Sequence, residues 1–137
     1  MSNIISDFST RTIVAATEEF PRHSEASVLE LKDGRLLIAW QRHEKSGFGS
    51  GDQAPSSIAL MNSSDNGATW GNFRIAASMI PGCVNVYSPC LYRCADGSIS
   101  LFFKRYTHLV WGEKQLNSYY RMDSYDEGKT WSKETLI

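Results

Sequence analysis

No run of apolar residues in this 137-residue chain approaches the roughly 20 that a membrane-spanning helix needs, so the sequence offers no transmembrane helix. An excess of one charge is missing too. The 14 basic residues meet 15 acidic ones for a formal net charge of −1, and there is no clustered basic face of the kind a nucleic-acid partner demands. Helical periodicity is weak throughout. Met1 to Thr10 lacks a basic stretch followed by an apolar one, so no secretory leader is expected and a cytoplasmic location is favoured. Cysteine is scarce: Cys83, Cys90 and Cys94 form neither a metal-ligand nor a redox pattern. On one extended strand Cys90 and Cys94 would lie about 13 Å apart, too far for a disulfide. Buried thiols in a reducing compartment are the expectation, and nothing in the pattern asks for a metal or cofactor.

What the chain does have is a repeat. Ser63-Ser64-Asp65-Asn66-Gly67-Ala68-Thr69-Trp70 returns as Ser124-Tyr125-Asp126-Glu127-Gly128-Lys129-Thr130-Trp131, both reading S-x-D-x-G-x-T-W, and Asp65 to Asp126 is a step of 61 residues. A second marker keeps nearly the same step, since Asp33-Gly34 returns as Asp96-Gly97 after 63 residues. Two turn signals repeating in phase imply duplicated structural units.

The octapeptide has the chemistry of a tight turn. Asp65 and Asp126 can accept backbone N–H bonds, Gly67 and Gly128 supply a positive φ, and the hydroxyls of Ser63, Thr69, Ser124 and Thr130 add local hydrogen bonds. Trp70 and Trp131 are expected to be largely buried plugs at the base of each turn. Turn-forming accounts for all of these residues without a catalytic role.

Between the markers lie short alternating or apolar runs: Ser27–Leu31, Arg35–Trp40, Ser57–Met61 and Phe73–Ala76, then Pro89–Arg93, Ser98–Phe103, Asn117–Met122 and Glu134–Ile137. Eight short strands in two sets of four predict an all-β chain of two antiparallel four-stranded units, 19–78 and 79–137, which are the blades of a β-propeller.

The two octapeptides match the Asp box of the sialidase-like proteins. The stretches Arg22-His23-Ser24-Glu25-Ala26-Ser27-Val28-Leu29, Ser50-Gly51-Asp52-Gln53-Ala54-Pro55 and Asn85-Val86-Tyr87-Ser88-Pro89 resemble the opening blades of bacterial sialidase-like (BNR-repeat) glycoside hydrolases, over about Glu19 to Ile137. The resemblance implies a six-bladed ring of which this chain supplies about two blades. It is then an N-terminal fragment with an incomplete active site, or a subunit completing a ring by self-association as a non-catalytic, lectin-like carbohydrate binder. In either case the ligand is a carbohydrate.

The resemblance also implies site residues. Arg22 matches an arginine that binds the substrate carboxylate, although the family reads Arg-Ile-Pro where this chain reads Arg22-His23-Ser24. Arg42 and Asp52 match, in order, a further arginine and an acid/base aspartate in a loop made pliable by Gly47, Gly49 and Gly51. Glu25 interrupts an apolar strand start as a polar group aimed at a pocket would. His23 and His43 flank these positions, while Asn85, Tyr87, Lys104 and Arg105 take the corresponding places in the second unit. Read as residues alone, Arg22 is equally a solvated strand-end arginine, Asp52 a plain surface aspartate, and Arg105 a packing residue repeated from Arg42. The topology places Arg22, Glu25, Arg42 and Asp52 at one end of the strands and the octapeptides at the other. The tyrosine nucleophile and paired glutamate of the family have no counterpart here.

Overall fold

The computed structural model describes residues 10–47, 51–106 and 117–137; Gly49 and most of the N-terminal decapeptide lie outside them. The chain is all-β. The first sheet has the order β1 (Arg22–Glu30), β2 (Leu36–His43), β3 (Ser56–Ser63), β4 (Gly71–Ala77), and the second repeats it as β5 (Asn85–Arg93), β6 (Ile99–Tyr106), β7 (Asn117–Ser124), β8 (Thr135–Leu136). Every neighbouring pair is antiparallel. These strands fall where the alternating runs predicted them. The largest difference is at β1 and β5, each of which starts several residues early.

The early starts have one cause. Each of these strands carries a register shift, between Ser24 and Ser27 in β1 and between Tyr87 and Cys90 in β5. At the kink sit Glu25 (φ 52°) and Ser88 (φ 53°), two non-glycine residues in the left-handed region at the same 63-residue step. A bulge breaks the period-2 pattern, so the residues before it did not read as strand.

The turns are as closely duplicated as the letters. In the β1–β2 turn Leu31 N–H donates to Arg35 O (2.7 Å) and Gly34 N–H to Leu31 O (3.0 Å); in the β5–β6 turn Cys94 N–H donates to Ser98 O (2.9 Å) and Gly97 N–H to Cys94 O (3.0 Å). This is a three-residue hairpin loop closed by a left-handed glycine. In the octapeptides Asp65 Oδ1 accepts from Thr69 N–H (2.8 Å) and Asp65 Oδ2 from Thr69 Oγ1 (2.6 Å), while Asp126 makes the same pair with Thr130 at 2.9 and 2.6 Å. Ser63 and Ser124 each accept from the glycine N–H at 2.8 Å. Hydrogen bonds, first of all from the threonine hydroxyl, hold both carboxyls down at about 2. The two tryptophans are partly buried, short of the full burial expected: their indoles lie over Gly67 and Gly128 with one edge in solvent.

The two sheets pack face to face, with β5 lying across β1, β2 and β3. Leu37, Ala39, Ile58 and Leu60 from the first sheet meet Val86, Leu91, Leu101 and Phe103 from the second in one buried layer. A smaller cluster of Ile38, Trp40, Ala59 and Met61 occupies the opposite face of the first sheet, covered by Val14 and Trp70. Polar bonds stitch the seam. Ser56 Oγ donates to Val86 O (2.7 Å) and accepts from Val86 N–H (3.0 Å), Ser27 Oγ accepts from Leu91 N–H (3.0 Å), and Glu25 Oε2 accepts from Ser88 N–H (2.6 Å). At the octapeptide end Glu127 binds Arg93 (2.6 and 2.8 Å) and the N–H of Lys32 (2.8 Å), joining the second unit's turn to the first unit's. The Arg93 guanidinium pulls the Glu127 carboxyl down to about 2.

Cys83, Cys90 and Cys94 are free thiols. None is the buried thiol expected: Cys83 and Cys94 are partly exposed, and Cys90 is exposed because it alternates with Leu91, which takes the seam face. Among the described residues no helix is long and apolar enough to cross a membrane.

Two outcomes follow from these turns. A Cβ on Gly128 would meet Leu37 Cδ2 at 2.8 Å, whereas one on Gly67 meets nothing nearer than 3.7 Å; both glycines have positive φ. Gly67→Ala should therefore cost about 1 kcal/mol from backbone strain alone, and Gly128→Ala clearly more, read as urea midpoints. Equal midpoints would contradict the seam contact. The second outcome concerns acid. A carboxyl held at about 2 against an ordinary 4.5 stabilises the fold fully above pH 4.5, and that contribution drains away as pH falls toward 2. Glu127→Gln should lower stability at pH 7 by about 1–3 kcal/mol and flatten the pH dependence of unfolding between those values.

Candidate functional site

The strand ends opposite the octapeptides bring together the start of β1, the end of β2, the loop before β3 and the start of β5. Here a cleft of about 320 Å³ is lined by Glu25, Gln41, Asp52, Gln53, Asn85, Tyr87 and Tyr106. It straddles the seam, so neither sheet makes it alone. Arg22 stands beside it with Nη1 2.6 Å from Asp52 Oδ1; the guanidinium is partly exposed and the carboxylate almost wholly so. The Asp52 loop is pinned from the second sheet, because the side-chain amide of Asn85 donates to Asp52 O. Its far side is anchored by fully buried Ala54, whose N–H donates to Gly51 O (2.9 Å).

The cleft floor is polar and buried. Gln41 accepts from Ser24 Oγ (3.3 Å) through its amide oxygen and donates to Ser56 Oγ (3.2 Å). His43, fully buried, has Nε2 3.1 Å from Ser24 Oγ. Burial, then the Arg22 cation, lowers its pKa, so the imidazole is neutral at pH 7. It lies under the cleft and does not reach it. On the second-sheet wall Tyr87 donates to Asn117 Oδ1 (2.5 Å) and meets Tyr106 edge to face, with centroids 6.5 Å apart. Burial raises the Tyr87 pKa, so its phenol is neutral at pH 7.

Four of the expected residues, Glu25, Asp52, Asn85 and Tyr87, line the cleft, and Arg22 joins them through Asp52. Three do not. Arg42 shares the correct end of β2 but emerges on the opposite face of the sheet, where its guanidinium lies over Phe20 (3.8 Å) and Phe73 (5.2 Å). His23 is its cross-strand partner on that same face, with Nδ1 accepting from Trp40 Nε1 at 3.1 Å. Arg105 is buried, paired with Glu134 (2.7 Å), bonded to Ser78 O (2.9 Å) and laid over the Tyr120 ring. The reason is alternation: Leu37, Ala39, Gln41 and His43 share the seam face, so Arg42 must point away. Gln41, Gln53 and Tyr106 line the cleft without having been anticipated. For Gln41 the signal was present, since counting by twos from buried Leu37 leads to it.

Among the described residues no group of three or more His, Cys, Asp or Glu comes close enough to hold a metal ion.

No family model matches the sequence, and no curated protein matches it. Solved structures do. A protein of unknown function from Dyadobacter fermentans DSM 18053 superposes with a TM-score of 0.72 at 22% identity, over 90% of this chain and 38% of that one. The Hadza microbial sialidase Hz136 superposes with a TM-score of 0.71 at 19% identity, over 88% of this chain and 27% of that one. The fold is that of a sialidase propeller. At such identities the likeness is one of fold, and this chain spans well under half the length of either match.

The placement of the arginines predicts different consequences for removing them. Arg105→Ala strips a buried guanidinium from between Glu134 and two rings and should cost about 2 kcal/mol or more. Arg22→Ala removes a surface pair and should change stability by less than about 1 kcal/mol. Thermal unfolding of both variants checks this; a larger loss for Arg22→Ala would show that the cleft pair is structural.

Proposed function

We propose that the chain forms the opening portion of a glycoside-hydrolase site that removes a terminal, anionic sugar from a larger glycan. The observation that carries this reading is the Arg22–Asp52 pair, 2.6 Å apart on the rim of a cleft whose other polar groups are carboxylate, amide and phenol. Such a lining suits a polyhydroxylated ligand, which offers both donors and acceptors. The sialidase among the structural matches supports the choice of an acidic sugar.

In this reading the substrate carboxylate takes over Arg22 with charge-assisted hydrogen bonds. Asp52 is thereby released from its ion pair, takes up a proton from solvent beside the incoming carboxylate and gives it to the glycosidic oxygen; once the leaving group has departed, the carboxylate so formed is the base that activates water. Glu25, its carboxylate fixed on Ser88 N–H, and Asn85 hold hydroxyls. The described cleft sets two carboxylates, Glu25 and Asp52, against one adjacent guanidinium. Further cations for the substrate acid, and the nucleophile, must therefore come from chain beyond these two sheets.

Kinetics of the full-length protein on an aryl sialoside test the assignment. Arg22→Ala should raise KM about tenfold with kcat changed less, and Asp52→Asn should lower kcat by about a hundredfold or more with KM little altered. Full turnover by Asp52→Asn would remove the acid/base role.

A further inference from the structure

The polar half of the cleft is matched by an aromatic half for which the hydrolytic roles above have no use. Tyr87 and Tyr106 both line the cavity, and their rings are braced edge to face. The brace is continued by the Tyr87 hydroxyl on Asn117, the cross-strand partner of Tyr106, and by Lys104 Nζ 5.5 Å from the Tyr87 ring centroid. These rings sit on the acid's side of the site: Tyr106 is the cross-strand partner of Asn85, and the Asn85 amide holds the backbone carbonyl of Asp52. A proton donor stands beside the bond it cleaves and therefore beside the leaving group.

We propose that Tyr106, supported by Tyr87, is a stacking platform for the first sugar ring on the leaving-group side, so that the site selects a terminal sugar attached to another pyranose. The physical basis is the chemistry of a pyranose, which presents an apolar C–H face between its hydroxyls; a phenol ring covers that face while amides and carboxylates take the hydroxyls. Both residues line the cavity and are only partly buried, which leaves surface on them that a ligand can cover. The duplication does not supply this pair. At the equivalent positions in the first unit stand Ser24 and His43, bonded to each other under the cleft. The platform therefore belongs to the second sheet alone. The inference rests on the hydrolase reading for its orientation.

The test compares sialyllactose, whose leaving group is a disaccharide, with the methyl glycoside of the same acid, in full-length protein carrying Tyr106→Ala or Tyr106→Phe. Tyr106→Ala should lower kcat/KM on sialyllactose roughly three- to tenfold and leave the methyl glycoside within about twofold, mostly through KM. Tyr106→Phe keeps the ring and should behave as wild type on both. Equal losses on the two substrates, or no loss on either, would overturn the platform. If wild-type protein cleaves neither substrate, the hydrolase reading fails separately, and saturation-transfer NMR with sialyllactose then decides the platform. Transfer to lactose protons that Tyr106→Ala abolishes sustains it; no transfer to them in wild type ends it.

Discussion

Everything in this molecule hangs on the seam between the two sheets. An apolar sheet face must be buried against another element, and here Leu37, Ala39, Ile58 and Leu60 pack in one cluster with Val86, Leu91, Leu101 and Phe103 of the next sheet. The same contact builds the cleft, because its floor and one wall come from β1 and β2 and its other wall from β5 and β6. Ser56 illustrates the coupling: one hydroxyl is bonded to Gln41 in the floor and to both backbone groups of Val86 across the seam. Loosening the seam would misplace Asn85, and with it Asp52.

The bulges do a second job in the same place. Positive φ at a non-glycine residue costs free energy and persists where surrounding contacts over-determine it. Glu25 and Ser88 are both held this way, and one is bonded to the other across the seam. Each strand stays paired on both sides of its kink, and the bulge re-aims the side chains of the paired residues before it at the end where the cleft lies.

Much of this was legible in the letters. The turns were, because Gly34, Gly97, Gly67 and Gly128 sit at positions that only a positive φ explains, and the duplicated octapeptides fixed how the strands divide into two sheets. The site was legible only to the level of which end of the strands to examine. Which face a side chain takes depends on register, and a one-residue offset exchanges cleft for exterior. Arg42 and Gln41 are neighbours in sequence and on opposite sides of the sheet for this reason. Arg105 shows another gap: sequence reveals an arginine at a strand end, but the stacked rings and the Glu134 carboxylate that receive it come from other strands. Trp70 and Trp131, expected as largely buried plugs at the base of each turn, lie against the turn glycines and are only partly buried.

The duplication is uneven along the strand axis. At the octapeptide end the two units share the serine–glycine and aspartate–threonine bonds, whereas at the cleft end most equivalent positions hold unlike residues, Arg42 and Arg105 excepted: Glu25 stands against Ser88, His43 against Tyr106, Gln41 against Lys104. One end of the scaffold keeps the same turn in both units while the other differs at most positions. A fold arranged like this separates inheritance from invention in space, leaving its cleft open to new residues without disturbing the turns that hold the strands in place.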